Sequence, residues 1–330
     1  AARCSFDKMS EWEHVNNEDG TYYASRNDPL AQFKKVKQLS DGDVKLINYL
    51  AKHKHWTPFA HCQEVFDLHI YERELLDFFK HANLSGFEWA VTNLQPHHVK
   101  IRGSLYAWFT NLCYLPKDIA RDIGYQLQEK YPVSHTALKP QWTMDCESPQ
   151  GICRVQHVTK PTELELISYT LRIYCPIFVK RQLETHRRNF VMTDIEDFSQ
   201  NEVSRRYVDN EPEVYHPTEW RLQAKNKKQG SSDDYLQGTN KILVDSNYFH
   251  VVFMATSTYE RMNALKVAHE LSRMCLPLAT YTTFWWTGSL KSWNRMFSLR
   301  LEEHVQAETK LIAQQCYDII QEEVSNNASS

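Results

Sequence analysis

Cations, amides and a carboxylate crowd into two neighbouring stretches of the chain. Arg181-Gln182 leads into His186-Arg187-Arg188, and Asn201-Glu202-Val203-Ser204-Arg205-Arg206-Tyr207 follows. If the second stretch is extended, Glu202, Ser204 and Arg206 project from one face at intervals of about 6.6 Å. A carboxylate, a hydroxyl and a guanidinium on one wall suit a ligand with a phosphate at one end and hydrogen-bonding edges at the other. Arginine grips phosphate through two parallel bonds, while serine and glutamate fix orientation. The alternative is a solvated charged strand and loop.

Two further groups have chemical potential. His53, His55, Thr57, Pro58 and His61 lie within nine residues. Their spacing is not that of a zinc-binding helix and no carboxylate lies between them, so no metal is expected here. A turn whose Thr57 and histidines meet a polar cofactor fits the pattern, and so does a plain surface turn. The third group is Arg273 before Leu276-Pro277, then Tyr281-Thr282, Trp285-Trp286-Thr287, Lys291, Arg300 and His304. Arg300 is flanked by Phe297, Leu299 and Leu301, so its cation is expected at a buried edge, where it needs a polar or anionic partner.

The elements that must position these residues are legible in part. Pro176-Ile177-Phe178-Val179 is short, bulky and apolar and reads as a buried strand ending in Arg181 and Gln182. Tyr259, Met262, Leu265, Leu271 and Met274 recur at helical spacing before Pro277, which predicts a helix over about 252–275. A second helical pattern starts near Leu290 and runs through Ile320, placing Arg300, His304 and Glu308 one turn apart on one face. Residues from about 209 to 238 are polar, with Lys225, Lys227 and Lys228 crowded together, and read as a long surface loop. The stretch 71–174 mixes amphipathic helical segments with turn signals at Gly86, Pro96, Gly103 and Pro116.

Composition narrows the class. At 330 residues with 42% hydrophobic and 24% charged side chains, the chain can bury a core without metal or disulfide staples. A formal net charge of −3 argues against nucleic acid as a partner. The eight cysteines include no C-x-x-C pair, so reduced thiols are expected, and Cys146, Cys153 and His157 match no standard metal spacing. No apolar stretch is long enough for a membrane span, and a soluble cytoplasmic protein is expected.

Taken in order, the segments resemble the flavin-dependent thymidylate synthases. His55-Trp56-Thr57-Pro58-Phe59-Ala60-His61 is similar to that family's H-x-[ST]-P-F-E-H block. Its R-H-R signature appears as Thr185-His186-Arg187, and its S-x-N-E-x-S-x-R-Y as the complete run Ser199–Tyr207. Pro217-Thr218-Glu219-Trp220-Arg221, Arg273-Met274-Cys275-Leu276-Pro277 and the closing Leu299-Arg300, His304, Gln306 and Glu308 follow in the family's order.

The resemblance implies a mixed α/β fold of the α+β type, a sheet flanked by helices, and a homotetramer with active sites shared between subunits. It implies FAD, reduced by NADPH, and methylenetetrahydrofolate as the carbon donor to dUMP. Matching positions place His55, Thr57, His186, Arg187, Ser289, Lys291 and His304 at the flavin. They place Gln182, Glu202, Ser204, Arg205, Arg206, Arg273 and Arg300 at the pyrimidine deoxynucleotide monophosphate, with Arg300 and Ser204 catalytic.

Residues 1–330 are expected to form one catalytic domain, with a long insertion at about 71–174 and a short acidic one at about 190–198. Thr185 stands where the family has arginine, Ala60 where it has glutamate, Ser289 where it has asparagine and Lys291 where it has arginine. These departures leave open a sister methyltransferase or hydroxymethylase acting on dUMP or dCMP, or a non-catalytic paralogue binding nucleotide or nucleic acid.

Overall fold

A computed structural model describes residues 13–14, 37–70, 87–91, 98–112, 115, 117–138, 153–158, 161–164, 166–187, 199–206, 211–224 and 231–328. In chain order the elements are β1 (Glu13–His14), β2 (Lys37–Gln38), α1 (Asp41–Lys52), β3 (Gln63–Ile70), β4 (Phe87–Val91) and β5 (His98–Ser104). Then come α2 (Leu105–Asn111), α3 (Lys117–Lys130), α4 (Pro132–Leu138), β6 (Cys153–Val158), β7 (Ser168–Pro176), α5 (Ile177–Leu183), β8 (Ser199–Glu202), β9 (Arg221–Gln223) and β10 (Ser231–Tyr235). The chain closes with α6 (Gly238–Ala264), α7 (His269–Ser272), β11 (Tyr281–Ser289), α8 (Leu290–Arg300) and α9 (Ala307–Ala328). Among the described residues no helix is long and apolar enough to cross a membrane.

The expected α+β class is met, with separate small antiparallel sheets in place of one. The first has the order β4-β5-β3-β6, and Phe66 and Leu68 of β3 pack with Leu105 and Trp108 of α2, Leu112 just after it, and Ile119, Ile123 and Leu127 of α3. The second has the order β7-β11-β8. β7 and β11 pair along nine residues, from Tyr281 opposite Pro176 to Ser289 opposite Ser168. Because side chains alternate across a strand, Ile173, Cys175, Phe284 and Trp286 fall on one face. There they meet Val179 and Leu183 of α5, Trp293, Met296 and Phe297 of α8, and Ala313, Cys316 and Ile320 of α9.

Several expectations about single elements are corrected. Residues 177–182 are helix and not strand: β7 ends at Pro176 and α5 begins at Ile177. Proline has no N–H to continue a ladder and its φ of −61° suits the residue before a helix. The first amides of α5 are then satisfied by the 276–280 turn, Ile177 N donating to Thr280 O (2.9 Å) and Phe178 N to Leu278 O (3.0 Å).

The helix expected over 252–275 starts at Gly238 and stops at Ala264, where Lys266 adopts φ of +60° and breaks the run. The pattern from Leu290 is two helices, α8 ending at Arg300 and α9 beginning at Ala307. The polar stretch 209–238 contains the β9–β10 hairpin, while Lys225, Lys227, Lys228 and the acidic 190–198 segment lie outside the described residues. Residues 71–174 supply β4, β5, β6 and α2 to α4.

Trp293 is fully buried, meets Trp286 edge to face at 5.0 Å, and donates from Nε1 to Tyr169 O at 3.2 Å. Trp293→Ala is therefore expected to cost about 3–5 kcal/mol, measured by denaturant unfolding, with the far-ultraviolet circular dichroism spectrum retained.

Candidate active site

The C-terminal ends of α5 and α8 meet, and Arg300, the last residue of α8, bridges them. Its Nη2 donates to the Gln182 carbonyl (2.8 Å) and to Thr185 Oγ1 (2.7 Å), and its Nε donates to His186 Nε2 (2.9 Å). The Gln182 carbonyl is at the negative end of a helix, a favourable place for a cation. The Gln182 amide is held in turn, Nε2 donating to Gln306 Oε1 and Oε1 accepting from Thr309 Oγ1 (3.1 Å). Arg300 thus finds polar partners rather than an acid, and its Nη1 makes no hydrogen bond to a described residue.

A cleft of about 970 Å³ opens beside this junction, lined on one side by Arg181, Gln182, Thr185, Arg300 and His304. Phe178, Tyr215, Trp220 and Tyr248 form its aromatic wall. The polar ends of the two outer rings are spent on the protein. Trp220 Nε1 donates to Asp245 Oδ1 (2.6 Å), and the Tyr248 hydroxyl donates to the Tyr215 carbonyl (2.6 Å), which fixes the ring planes. Arg221 Nη2 grips both oxygens of Glu308 at 2.7 Å. Burial pushes the Glu308 carboxyl up, but those bonds outweigh it and hold the group below the usual carboxylate range.

Beneath the cleft, the buried Lys180 ammonium lies between Glu184 and Glu202, 3.1 Å from Glu202 Oε2 and 5.5 Å from the centre of the Phe284 ring. Thr282 Oγ1 donates to Glu202 Oε1 at 2.7 Å. Register explains this arrangement. Glu202 pairs with Phe284 and Gln200 with Trp286, so both side chains of β8 point at the helices. The strand ends there, so Ser204 and Arg206 do not continue an extended face with Glu202. Instead Arg206 Nε reaches Ser204 Oγ at 3.5 Å, and Arg205 lies 6.0 Å from the ring centre of Tyr259 on α6.

The remaining expected residues are distributed. His304 is not one turn along the helix from Arg300 but lies in the α8–α9 connection, on the cleft, 3.3 Å from Glu302 Oε2. Arg205, Arg206 and Arg273 do not line the cleft, and Arg273 is exposed in the turn after α7. His55 and Thr57 are exposed at the short 3-10 turn Thr57–His61.

His61 is tied to the second sheet through Nδ1 and Thr287 Oγ1 (2.6 Å), which contacts Thr170 Oγ1 (2.7 Å), while its buried Nε2 has no partner among the described residues. Ser289 is fully buried and caps α8, accepting from Ser292 N at 3.1 Å, whereas Lys291 is exposed on the first turn. The Arg187 side chain, Arg188 and Tyr207 lie outside the described residues. Among the described residues no group of His, Cys, Asp or Glu could hold a metal. Cys146 and the side chains of Cys153 and His157 fall outside them.

Sequence reasoning gave no role to Lys180, Arg221, Trp220, Tyr215 or Tyr248. Lys180 and Glu184 stand at the i, i+4 spacing of a helical ion pair, a readable signal once 177–183 is taken as a helix. Arg221 and Glu308 are too far apart in the chain for any local spacing to pair them.

Burial, then the nearby charges of Arg300 and Arg295, hold His186 neutral, with its pKa lowered to about 4. Neutrality is what the geometry requires, because Nε2 must carry a lone pair to accept from Arg300. In the unfolded chain the imidazole takes its proton near the ordinary value of about 6.5. Between that value and about 4 the unfolded state therefore binds more protons, and stability falls as pH drops through this window. Imidazole resonances of His186 are expected to titrate near pH 4, and His186→Asn should remove that part of the acid sensitivity.

Known proteins are similar to this chain in sequence. The sequence profile of the thymidylate synthase complementing protein family (Thy1) matches residues 105–325. A flavin-dependent thymidylate synthase of Aquifex aeolicus is 28% identical over 309 residues, covering 84% of this chain and 87% of its own. That of Wolbachia pipientis is 34% identical over 168 residues, covering 50% of this chain and 54% of its own. A solved UMP/dUMP methylase, PolB of Streptomyces cacaoi, is 26% identical over 48% of this chain and 70% of its own, with a TM-score of 0.41. With about two thirds of its length matched by the family profile, the chain belongs to the thymidylate synthase complementing protein family.

Proposed function

We propose that the chain is a flavin-dependent thymidylate synthase, transferring a one-carbon unit from methylenetetrahydrofolate to C5 of dUMP. The observation that carries this reading is the seat of Arg300, in a chain of this family. Its Nε and Nη2 are anchored and its Nη1 is left for a ligand on the wall of the cleft. Carbon 5 of uracil is a poor nucleophile until the N3 proton is withdrawn. A fixed cation in a partly desolvated site stabilises the anion that results, and needs no reorganisation to do so. The thiols of Cys175 and Cys316 are poorly suited to activating the base, because burial pushes both up to about 12 and keeps them protonated.

The donors present suit an anionic dinucleotide. His55, Thr57 and Lys291 are exposed, His61 Nε2 has no partner among the described residues, and His304 edges the cleft. We assign these, with His186 and Arg187, to FAD, which NADPH reduces. Reduced flavin, when bound, supplies the hydride that turns a transferred methylene into a methyl group. Gln182, Glu202, Ser204, Arg205, Arg206 and Arg273 complete the nucleotide site.

A homotetramer with shared sites fits the surface of α6. Leu243, Phe249 and Val251 are 58%, 63% and 60% exposed, and Ile242, Phe253 and Met254 are also open to solvent. So large an apolar surface is a protein interaction face. The Tyr259 hydroxyl and Asn263 Oδ1 on the same helix are buried without a hydrogen-bond partner among the described residues.

The purified protein should carry flavin. Given dUMP, methylenetetrahydrofolate and NADPH, it should release thymidylate detectable by mass spectrometry. A hydroxymethyl product, or turnover of dCMP alone, would replace this reading with the sister activity. Arg300→Ala should lower kcat/KM by about 100- to 1000-fold while flavin stays bound. Phe249→Glu should yield smaller oligomers by light scattering and lose activity, with helix content kept.

A further inference from the structure

Where the family's R-H-R triplet begins with a cation, this chain has Thr185. The structure gives that residue a different role. Its hydroxyl donates to the Gln182 carbonyl at 2.8 Å, which turns a lone pair toward Arg300 Nη2 at 2.7 Å. The Gln182 carbonyl accepts from the same Nη2, closing a triangle of hydroxyl, carbonyl and guanidinium.

We propose that Thr185 is a positioning residue for Arg300, holding the Nε–Nη2 edge of the guanidinium so that Nη1 faces the nucleotide. This rests on the reading of Arg300 as the nucleotide-binding cation. A guanidinium is planar and rigid, with five N–H donors in fixed directions. Nε–H is taken by His186, and the two hydrogens of Nη2 by Gln182 and Thr185. With three donors fixed in one plane, the direction of the remaining pair on Nη1 is fixed as well.

Threonine is suited to this because it accepts and donates at once. An arginine at position 185 has no acceptor to offer. It would place a second cation close to Arg300, a repulsion of about 1 kcal/mol in water and about 4 kcal/mol at a partly buried site for charges 4 Å apart. Departure from the family triplet is therefore coupled to the seat of Arg300, and loss of a phosphate-binding charge is secondary.

Thr185→Val keeps the shape and removes the acceptor, while Thr185→Ser keeps the acceptor. Crystal structures of the wild type and both variants as holoenzymes read the positioning directly. Arg300 Nη2 should leave the Gln182 carbonyl in Thr185→Val and remain in Thr185→Ser, and an unmoved Arg300 in Thr185→Val would overturn the proposal. Calorimetric titration with dUMP gives the second readout. Thr185→Val is expected to bind about 10- to 100-fold more weakly, the range for a hydrogen bond to a charged group, and Thr185→Ser to stay within about threefold of wild type.

Equal losses in both variants would mark a merely structural role and also overturn it. Arg300→Ala forms a separate arm. If it binds dUMP like the wild type, the reading of Arg300 as the nucleotide cation fails, whereas the crystal structures still decide the role of Thr185.

Discussion

The nine-residue pairing of β7 with β11 is the constraint on which the site depends. Pro176 lies opposite Tyr281 and Ser168 opposite Ser289, so the ribbon has one end where α5 departs and another where α8 departs. The ribbon is about 30 Å long, while seven and eleven helical residues span about 10 and 17 Å. Two helices that grow toward each other from opposite ends of one face have lengths that nearly span it, so their C-termini meet. Arg300 closes that gap, and the carbonyl of Gln182 is there to receive it because helices leave their last carbonyls without partners. Slipping the ribbon by one residue would turn Phe284 and Trp286 out of the core and separate these ends.

Charge is handled by the same geometry. Lys180 is almost wholly buried, a costly state for an ammonium group unless acids neutralise it. Glu184 comes from the next turn of α5 and Glu202 from the strand that β11 holds in register. The carboxylate assigned to the nucleotide is therefore oriented from two sides, by Lys180 and by Thr282. The imidazoles take the opposite course. His186 is surrounded by cations and low in solvent, so it stays neutral and serves as an acceptor. Burial likewise lowers His61 to about 3, leaving an uncharged ring against Thr287. Placing neutral acceptors beside Arg300 and charged acids beside Lys180 keeps both cations fixed without cancelling the one that faces the cleft.

The ordered blocks and the apolar flanks of Arg300 were legible in the sequence because they are local and chemically distinctive. Gln182, Arg300 and His304 do come to one cleft. What misled was the short apolar run after Cys175, which fits a strand and a buried helix equally, and there the proline decides. Arg300, His304 and Glu308 have helical spacing, yet α8 ends at Arg300 and α9 begins only at Ala307. The Arg221–Glu308 grip and the aromatic wall of Trp220 and Tyr248 join segments distant in the chain, and nothing in local periodicity encodes such a meeting. Thr185 is the sharpest case. Beside the family pattern it is a missing cation, and only the position of Arg300 reveals what its hydroxyl does.

The start of α6 was hidden for a related reason. An amphipathic helix announces itself by a polar face, and Ile242, Leu243, Tyr248, Phe249, Val251, Val252, Phe253 and Met254 leave little room for one. A helix apolar on nearly all sides belongs inside something, yet in a single protomer most of these side chains meet water. Leu271 and Met274, beyond its end, are exposed as well. Arg205 lies against Tyr259 on this helix and Arg273 follows shortly after it. Two cations that do not reach the cleft, Arg205 and Arg273, therefore lie beside this exposed apolar helix. In the proposed homotetramer, burying α6 against another copy would remove its apolar area from water. Assembly and completion of the proposed shared site would then be one event, driven by the hydrophobic effect.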